Sequence, residues 1–252
     1  MDSVDKVLPA RPSATPARTR TGRSEPLSTK ASVTSKSLAS STRTSPRTRR
    51  NSGETKAAIL AAAEVVFATS GYHGASTVGI AKEAKCYESL IFYHYGSKDE
   101  LFAAVLEEAY RKLVVAEQDL HVNYNDPVQA LTEVVMFMWT YYQQHPELIF
   151  LLNTENLLKG QHVKQSGALR KFLPTAISVL RNTVNAGIER GVFRPNINVD
   201  ELYISLMGLG YFYLSNRYTL SSFFGKDLMA KPERERWGQW MVDTIFNAVK
   251  KV

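Results

Sequence analysis

The sequence predicts an all-α protein of about nine helices, with three short helices near its N-terminal side followed by a larger set of longer ones. From Glu54 onward, every strong run of apolar residues repeats at helical spacing. Serine and glycine stand where helices should start and stop, and no stretch alternates apolar and polar residues between turn signals as a strand would.

The first helix places Ile59, Ala63, Val66 and Phe67 on one face, and Gly71 is expected to end it as a C-cap. Ser76 then stands as an N-cap for a helix of about two turns carrying Val78, Ile80, Ala81 and Ala84. After a break at Lys85 and Cys86, a very short helix from Tyr87 to Tyr95 is closed by Gly96. Ser97 caps the fourth helix, with Glu100 completing a capping box, and Leu101, Val105 and Ala109 continue its apolar stripe. Longer helices are expected at 127–144, 146–158, 169–190, 199–216 and 233–250. His145-Pro146 divides the first two of these, and Gly191 with Pro195 ends the third.

Residues 1–53 hold eleven Lys/Arg against three Asp/Glu and are dominated by Ser, Thr, Pro, Ala and Arg, so a disordered basic arm is expected. An import leader or a misassigned start would share this composition, although Asp2 and Asp5 weigh against import. The remaining chain has 20 basic and 21 acidic residues, so the net charge of +7 describes the arm and says nothing of the folded part. The 44% apolar content is that of a soluble globular protein, and apolar runs are too short to span a bilayer. One cysteine, Cys86, fits a reducing cytoplasm, where its expected role is a small buried apolar side chain. Five scattered histidines show no metal-ligand spacing, so no metal or cofactor is expected.

Two short helices joined by about three residues have the form of a helix-turn-helix, though that spacing alone is common in helical proteins. The identities add to it. Gly71-Tyr72, Ser76, Ile80-Ala81, Phe92-Tyr93-His94-Tyr95 and Ser97-Lys98-Asp99-Glu100-Leu101 resemble, in order and spacing, the N-terminal domain of the TetR family of transcriptional regulators. The resemblance implies a DNA-binding domain at 54–98, a helical effector and dimerisation domain at 99–252, and repression of a catabolic or efflux operon relieved by a small molecule. The implied partners are a pseudo-palindromic double-stranded operator, a second copy of the chain and the effector, with no membrane. Ser76, Thr77, Lys85, Tyr93, His94 and Lys98 are the expected phosphate contacts, and Tyr87, Glu88 and Ser89 the expected base readers. Phe92 is expected to pack in the core.

The chain departs from the family's frequent Ala-Gly-Val-Ser turn, having Ala84-Lys85-Cys86-Tyr87, which removes a glycine suited to positive φ and a serine cap. Ala75 likewise stands where threonine is frequent. In the C-terminal half, Leu202, Leu209 and Phe212 with Trp237, Trp240, Met241 and Ile245 form wide apolar stripes that the resemblance assigns to a dimeric four-helix bundle. Polar tips on otherwise apolar helices nominate Trp139, Tyr142, Phe150, Asn153, Asn156, Arg170, Tyr211, Tyr213 and Asn216 for an effector pocket, although such residues are more often hydrogen-bonded core positions than ligand contacts. The stretch from Tyr211 to Leu228 resembles a branch that controls catabolism of aromatic or heterocyclic acids, which permits such an effector with Arg170 or Arg217 as counter-charge. A nonspecific nucleic-acid binder acting through the arm is a second reading, and a helical enzyme a third. No nucleophile, carboxylate pair or phosphate loop appears at motif spacing.

Overall fold

The computed structural model describes residues 52–251, and the arm expected over 1–53 lies outside them apart from Ser52 and Gly53. The described residues contain twelve helical segments. α1 (Ser52–Gly74), α2 (Thr77–Glu83) and α3 (Glu88–Tyr95) are followed by α4 (Lys98–Gln118), α5 (Pro127–Gln144) and α6 (Pro146–Leu157). Then come α7 (Gln161–Gln165), α8 (Leu169–Ala176), α9 (Ser178–Glu189), α10 (Val199–Ser215), α11 (Arg217–Phe224) and α12 (Lys231–Val249).

The excess over nine has local causes. The helix expected over 169–190 is divided at Ile177 into α8, which holds Pro174 inside it, and α9. α7 and α11 are single short segments whose periodicity is too brief to read. Gly71 leaves the α region at φ 66°, as a C-cap should, and the chain adds one more turn through Gly74 before leaving α1.

Ile59, Ala63 and Phe67 of α1, Ile80 and Ala81 of α2, Ile91 of α3 and Leu101 of α4 are all buried, so the first three helices share one core with the start of α4. That core continues into the rest of the chain, because α1 packs on α4 and α6, and α4 packs on α8. α5 lies against α9, α10 and α12 at the centre of the C-terminal part. Gly238 lets α12 approach α5 closely: a Cβ there would lie 2.8 Å from the Trp139 ring, whose Nε1 donates to the Arg234 carbonyl at 3.1 Å. No helix among the described residues is long and apolar enough to cross a membrane.

The α2–α3 turn is strained where the sequence lacks glycine. Lys85 adopts φ 54°, the left-handed region that a Cβ disfavours, and the α3 N-cap Tyr87 supplies no side-chain capping hydrogen bond to α3. Lys85→Gly should relieve about 1 kcal/mol of strain, of which glycine's greater unfolded-state freedom leaves about 0.5 kcal/mol. Thermal melting should therefore place Lys85→Gly above the parent and Lys85→Ala level with it.

Candidate nucleic-acid interface and effector cavity

Capping explains how α2 and α4 are held. The Ser76 hydroxyl accepts from the Gly79 amide at 3.0 Å, and Ser97 accepts from the Glu100 amide at 3.1 Å while donating to its carboxylate at 3.0 Å. Both keep their serines on the outer rim of the helix pair. Thr77 donates its hydroxyl to the Glu88 carboxylate, tying the start of α2 to the start of α3. Lys85 and Ser89 are exposed, as are Tyr87 (63%) and Tyr93 (78%), and His94 sits edge-on to Tyr93 with ring centroids 5.0 Å apart.

Phe92 corrects the expectation of a core role: it is 48% exposed, on the same face of α3 as Ser89 and Tyr93. Ile91 takes the core position instead, fully buried, since neighbouring residues on a helix point about 100° apart. Val78, expected on the apolar face of α2, is instead 64% exposed, and Lys82 one turn on is exposed too, while Ile80, Ala81 and Ala84 form the buried face. Cys86 is only partly buried, packed against the core edge.

Lys98 begins α4 with its ammonium 4.5 Å from the centre of the Tyr72 ring, and partial desolvation lowers its pKa from the usual lysine value. The Tyr72 hydroxyl donates to Asp99. Behind Tyr72 lies His162 of α7, with ring centroids 5.6 Å apart, and His162 also meets Phe102 at 4.8 Å. His162 is buried and held by the buried Glu155 carboxylate, which accepts from His162 N at 2.8 Å and Val163 N at 3.0 Å and meets the ring Nδ1 at 2.7 Å. Its Nε2 has no hydrogen-bond partner.

The pocket candidates do not converge. Trp139 and Tyr142 are core residues, the latter donating to Met207 Sδ at 3.0 Å. Asn153 accepts from Tyr211 and Ser215, Asn156 is exposed, and Asn216 donates to the Phe212 carbonyl. Phe150 lies under the Arg217 guanidinium, which is buried, donates to Leu214 O and to the Tyr218 hydroxyl, and borders an open cavity with Tyr218 and Lys226. Tyr213 donates to Leu228 O and lines a cavity of about 340 Å³ with Phe212, Phe224 and Trp237.

Arg170 does face a cavity, one of about 280 Å³ between α4, α7, α8 and α10, walled by Tyr110, Leu113, Val163, Phe172 and Tyr203 among others. Arg170 is the one charged side chain lining it. One turn beyond Leu113 on the same face of α4 stands Glu117, buried, with Oε2 lacking a partner. Burial pushes its pKa up to about 8. A glutamate on the apolar stripe continued from Tyr110 and Leu113 was the sequence signal for it.

The stripes expected at a dimer interface need correction. Leu202, Met241 and Ile245 are buried within the chain, because α10 and α12 turn these residues onto each other and onto α5. The outward stripe consists of Ile204, Gly208 and Phe212 on α10, one turn apart, and Trp240 on α12, stacked on the partly buried Trp237 at 4.6 Å. Leu209 is partly buried beside this stripe.

Residues 59–105 match the model of bacterial regulatory proteins of the tetR family, and residues 127–245 match that of the tetracyclin repressor-like C-terminal domain. The HTH-type transcriptional repressor NicS of Pseudomonas putida is 40% identical over 193 residues, covering 77% of this chain and 91% of its own. The HTH-type transcriptional repressor SCO4008 of Streptomyces coelicolor is 30% identical over 161 residues, covering 64% and 78%. Among solved structures, the Bacillus subtilis transcriptional regulator FadR in complex with stearoyl-CoA superposes with a TM-score of 0.60 at 14% identity, covering 76% of this chain and 98% of that one. A tetR-family regulatory protein from Rhodococcus gives 0.60 at 19% identity, with coverages of 79% and 98%. This chain therefore belongs to the TetR family of DNA-binding helix-turn-helix transcriptional regulators, a non-enzymatic class.

Glu117 gives a pH-dependent stability with a definite sign. The folded chain keeps this proton up to about pH 8, whereas the unfolded chain releases it near 4.5. Between those values the unfolded state binds fewer protons, so stability falls as pH rises, by up to about 1.4 kcal/mol per unit. Glu117→Gln should therefore match the parent near pH 4.5 and gain on it steadily toward pH 8 in melting experiments; a constant difference would contradict the buried neutral acid.

Proposed function

We propose that the chain is a homodimeric repressor of the bacterial cytoplasm that grips a pseudo-palindromic operator and leaves it when a small molecule binds. The observation that carries this reading is a continuous stack from cavity to DNA face. Val163 lines the 280 Å³ cavity, His162 immediately precedes it in the chain, and the His162 ring rests on Tyr72, over which Lys98 stands. A ligand that shifts α7 or the adjoining α4 therefore shifts the start of α4 and the helix-turn-helix packed upon it. Release requires that the ligand favour a conformer whose two recognition helices no longer match major grooves roughly 34 Å apart.

Ser76, Thr77, Lys85, Tyr93, His94 and Lys98 are proposed to touch phosphates, and Tyr87 and Ser89 to face bases. Glu88 is better suited to bracing α2 against α3 through Thr77 than to reading bases. The effector of the cavity is proposed to be a compact acid, with Arg170 as counter-charge among aromatic walls. The partner copy is proposed to cover Ile204, Gly208, Phe212 and Trp240, whose exposure as one apolar stripe is otherwise costly.

The test uses full-length protein and the DNA flanking its own gene, against excess competitor DNA. A competitor-resistant complex of dimer stoichiometry is expected, and Lys98→Ala should weaken it evenly across sequences and lower the salt slope by about 1. An unchanged slope would sink the phosphate role of Lys98. Sedimentation of the double variant Phe212→Glu, Trp240→Glu should give a folded monomer; a persistent dimer would move the interface elsewhere.

A further inference from the structure

How the recognition helix chooses its sequence follows from what it lacks. α3 reads Glu88, Ser89, Leu90, Ile91, Phe92, Tyr93, His94, Tyr95 and so holds no arginine, lysine, asparagine or glutamine. Those are the side chains that pair bidentately with guanine or adenine edges in the major groove. Glu88, which could accept from a cytosine amine, already accepts from Thr77. Its charge would also oppose the phosphates on either side of the groove.

Among the polar side chains that α2 and α3 present outward stand two apolar ones. Phe92 is 48% exposed in the middle of the stripe formed with Ser89 and Tyr93, and Val78, next in the chain to the Thr77 that braces α3, is 64% exposed. Neither is needed for the core, where Ile80 and Ile91 are fully buried beside them. A half-exposed phenylalanine and an exposed valine on the head of a regulator ask for an apolar partner in the groove. The major groove offers one such group, the C5-methyl of thymine. The lysines around this face, Lys82, Lys85 and Lys98, lie on α2, its turn and α4, so that α3 itself carries none, and Lys82 stands one turn from Val78 on α2.

We propose that operator half-sites are discriminated chiefly through thymine methyl groups, with Phe92 and Val78 as the specificity-determining side chains. This rests on the proposed entry of the α2–α3 face into the major groove. Each half-site then carries T·A pairs beneath these two residues, and the discrimination is lost when the methyl is removed even though every hydrogen-bonding edge stays the same.

The experiment selects duplexes from a random 30-base-pair library with the full-length protein, then resynthesises the enriched duplex with uracil replacing thymine one position at a time. Uracil at the central half-site positions is expected to weaken binding about three- to fivefold per methyl, with no effect at flanking positions. Phe92→Ala, checked for folding by thermal melting, should no longer distinguish thymine from uracil at the position beneath residue 92 while keeping the discrimination at the position beneath Val78, and the double variant Phe92→Ala, Val78→Ala should bind the thymine and uracil duplexes alike. Should either variant fail to fold, the uracil comparison decides alone, because it leaves the protein untouched. Equal affinity of the parent for thymine and uracil duplexes, or enriched half-sites fixed as G·C under this face, would overturn the inference while leaving operator binding intact. No enrichment at all would overturn the DNA-binding reading, and the inference with it.

Discussion

Four rings join the DNA-binding helices to the rest of the chain, and the remaining architecture depends on that joint. Phe102 of α4 meets Phe67 at 4.9 Å, Tyr72 at 5.3 Å and His162 at 4.8 Å, mostly edge to face. Tyr72 reaches the cluster because Gly71 turns the chain at φ 66°. His162 is fixed by the buried Glu155, which gathers two backbone amides and the ring nitrogen of the short α7. The joint is packed closely enough to transmit a shift, since rings at these separations have little free volume between them. It also reaches the 280 Å³ cavity through Val163, next to His162, and the start of α4 through Lys98.

Two departures from local rules stand near those surfaces. Lys85 occupies a left-handed conformation in the α2–α3 turn, and Glu117 is buried without a partner for Oε2 beside the cavity. Each lowers stability, and the rest of the core must offset it. Such conflicts between local preference and fold concentrate where a protein works rather than where it merely packs. A buried acid lies one turn beyond the cavity-lining Leu113, and a strained turn holds Lys85 at the edge of the helix pair.

Local signals made the N-terminal helices legible in the sequence. Ser76 and Ser97 cap the helices they were expected to cap, Gly96 closes α3, and the non-glycine turn at Lys85 has the positive φ that the missing glycine implied. Phe92 was misread because aromatic character was taken for burial, while the helix directs Ile91 inward instead. The C-terminal half was less legible for a different reason. Periodicity tells that α10 and α12 have broad apolar faces but not which part of each meets the chain's own α5, so Leu202, Met241 and Ile245 were grouped with the outward Phe212 and Trp240. Pocket residues chosen one at a time, such as Trp139 and Tyr142, proved to be core, because a cavity is defined by several helices at once. Arg170 is an expected pocket residue and lines a cavity, whereas the cavity role of Tyr110 and Tyr203 becomes visible only with α4 and α10 in place.

The central claim is that the two recognition surfaces of a dimer move as heads on this joint. Its most direct test is the distance between spin labels placed at the exposed Glu83 of each chain, as Glu83→Cys in a Cys86→Ala background, measured free and on a selected operator duplex. The account predicts a broad or displaced distribution in the free dimer that collapses to one narrow distance on DNA. Identical distributions with and without DNA would mean rigid heads, and would contradict a joint that a ligand could use to release the operator.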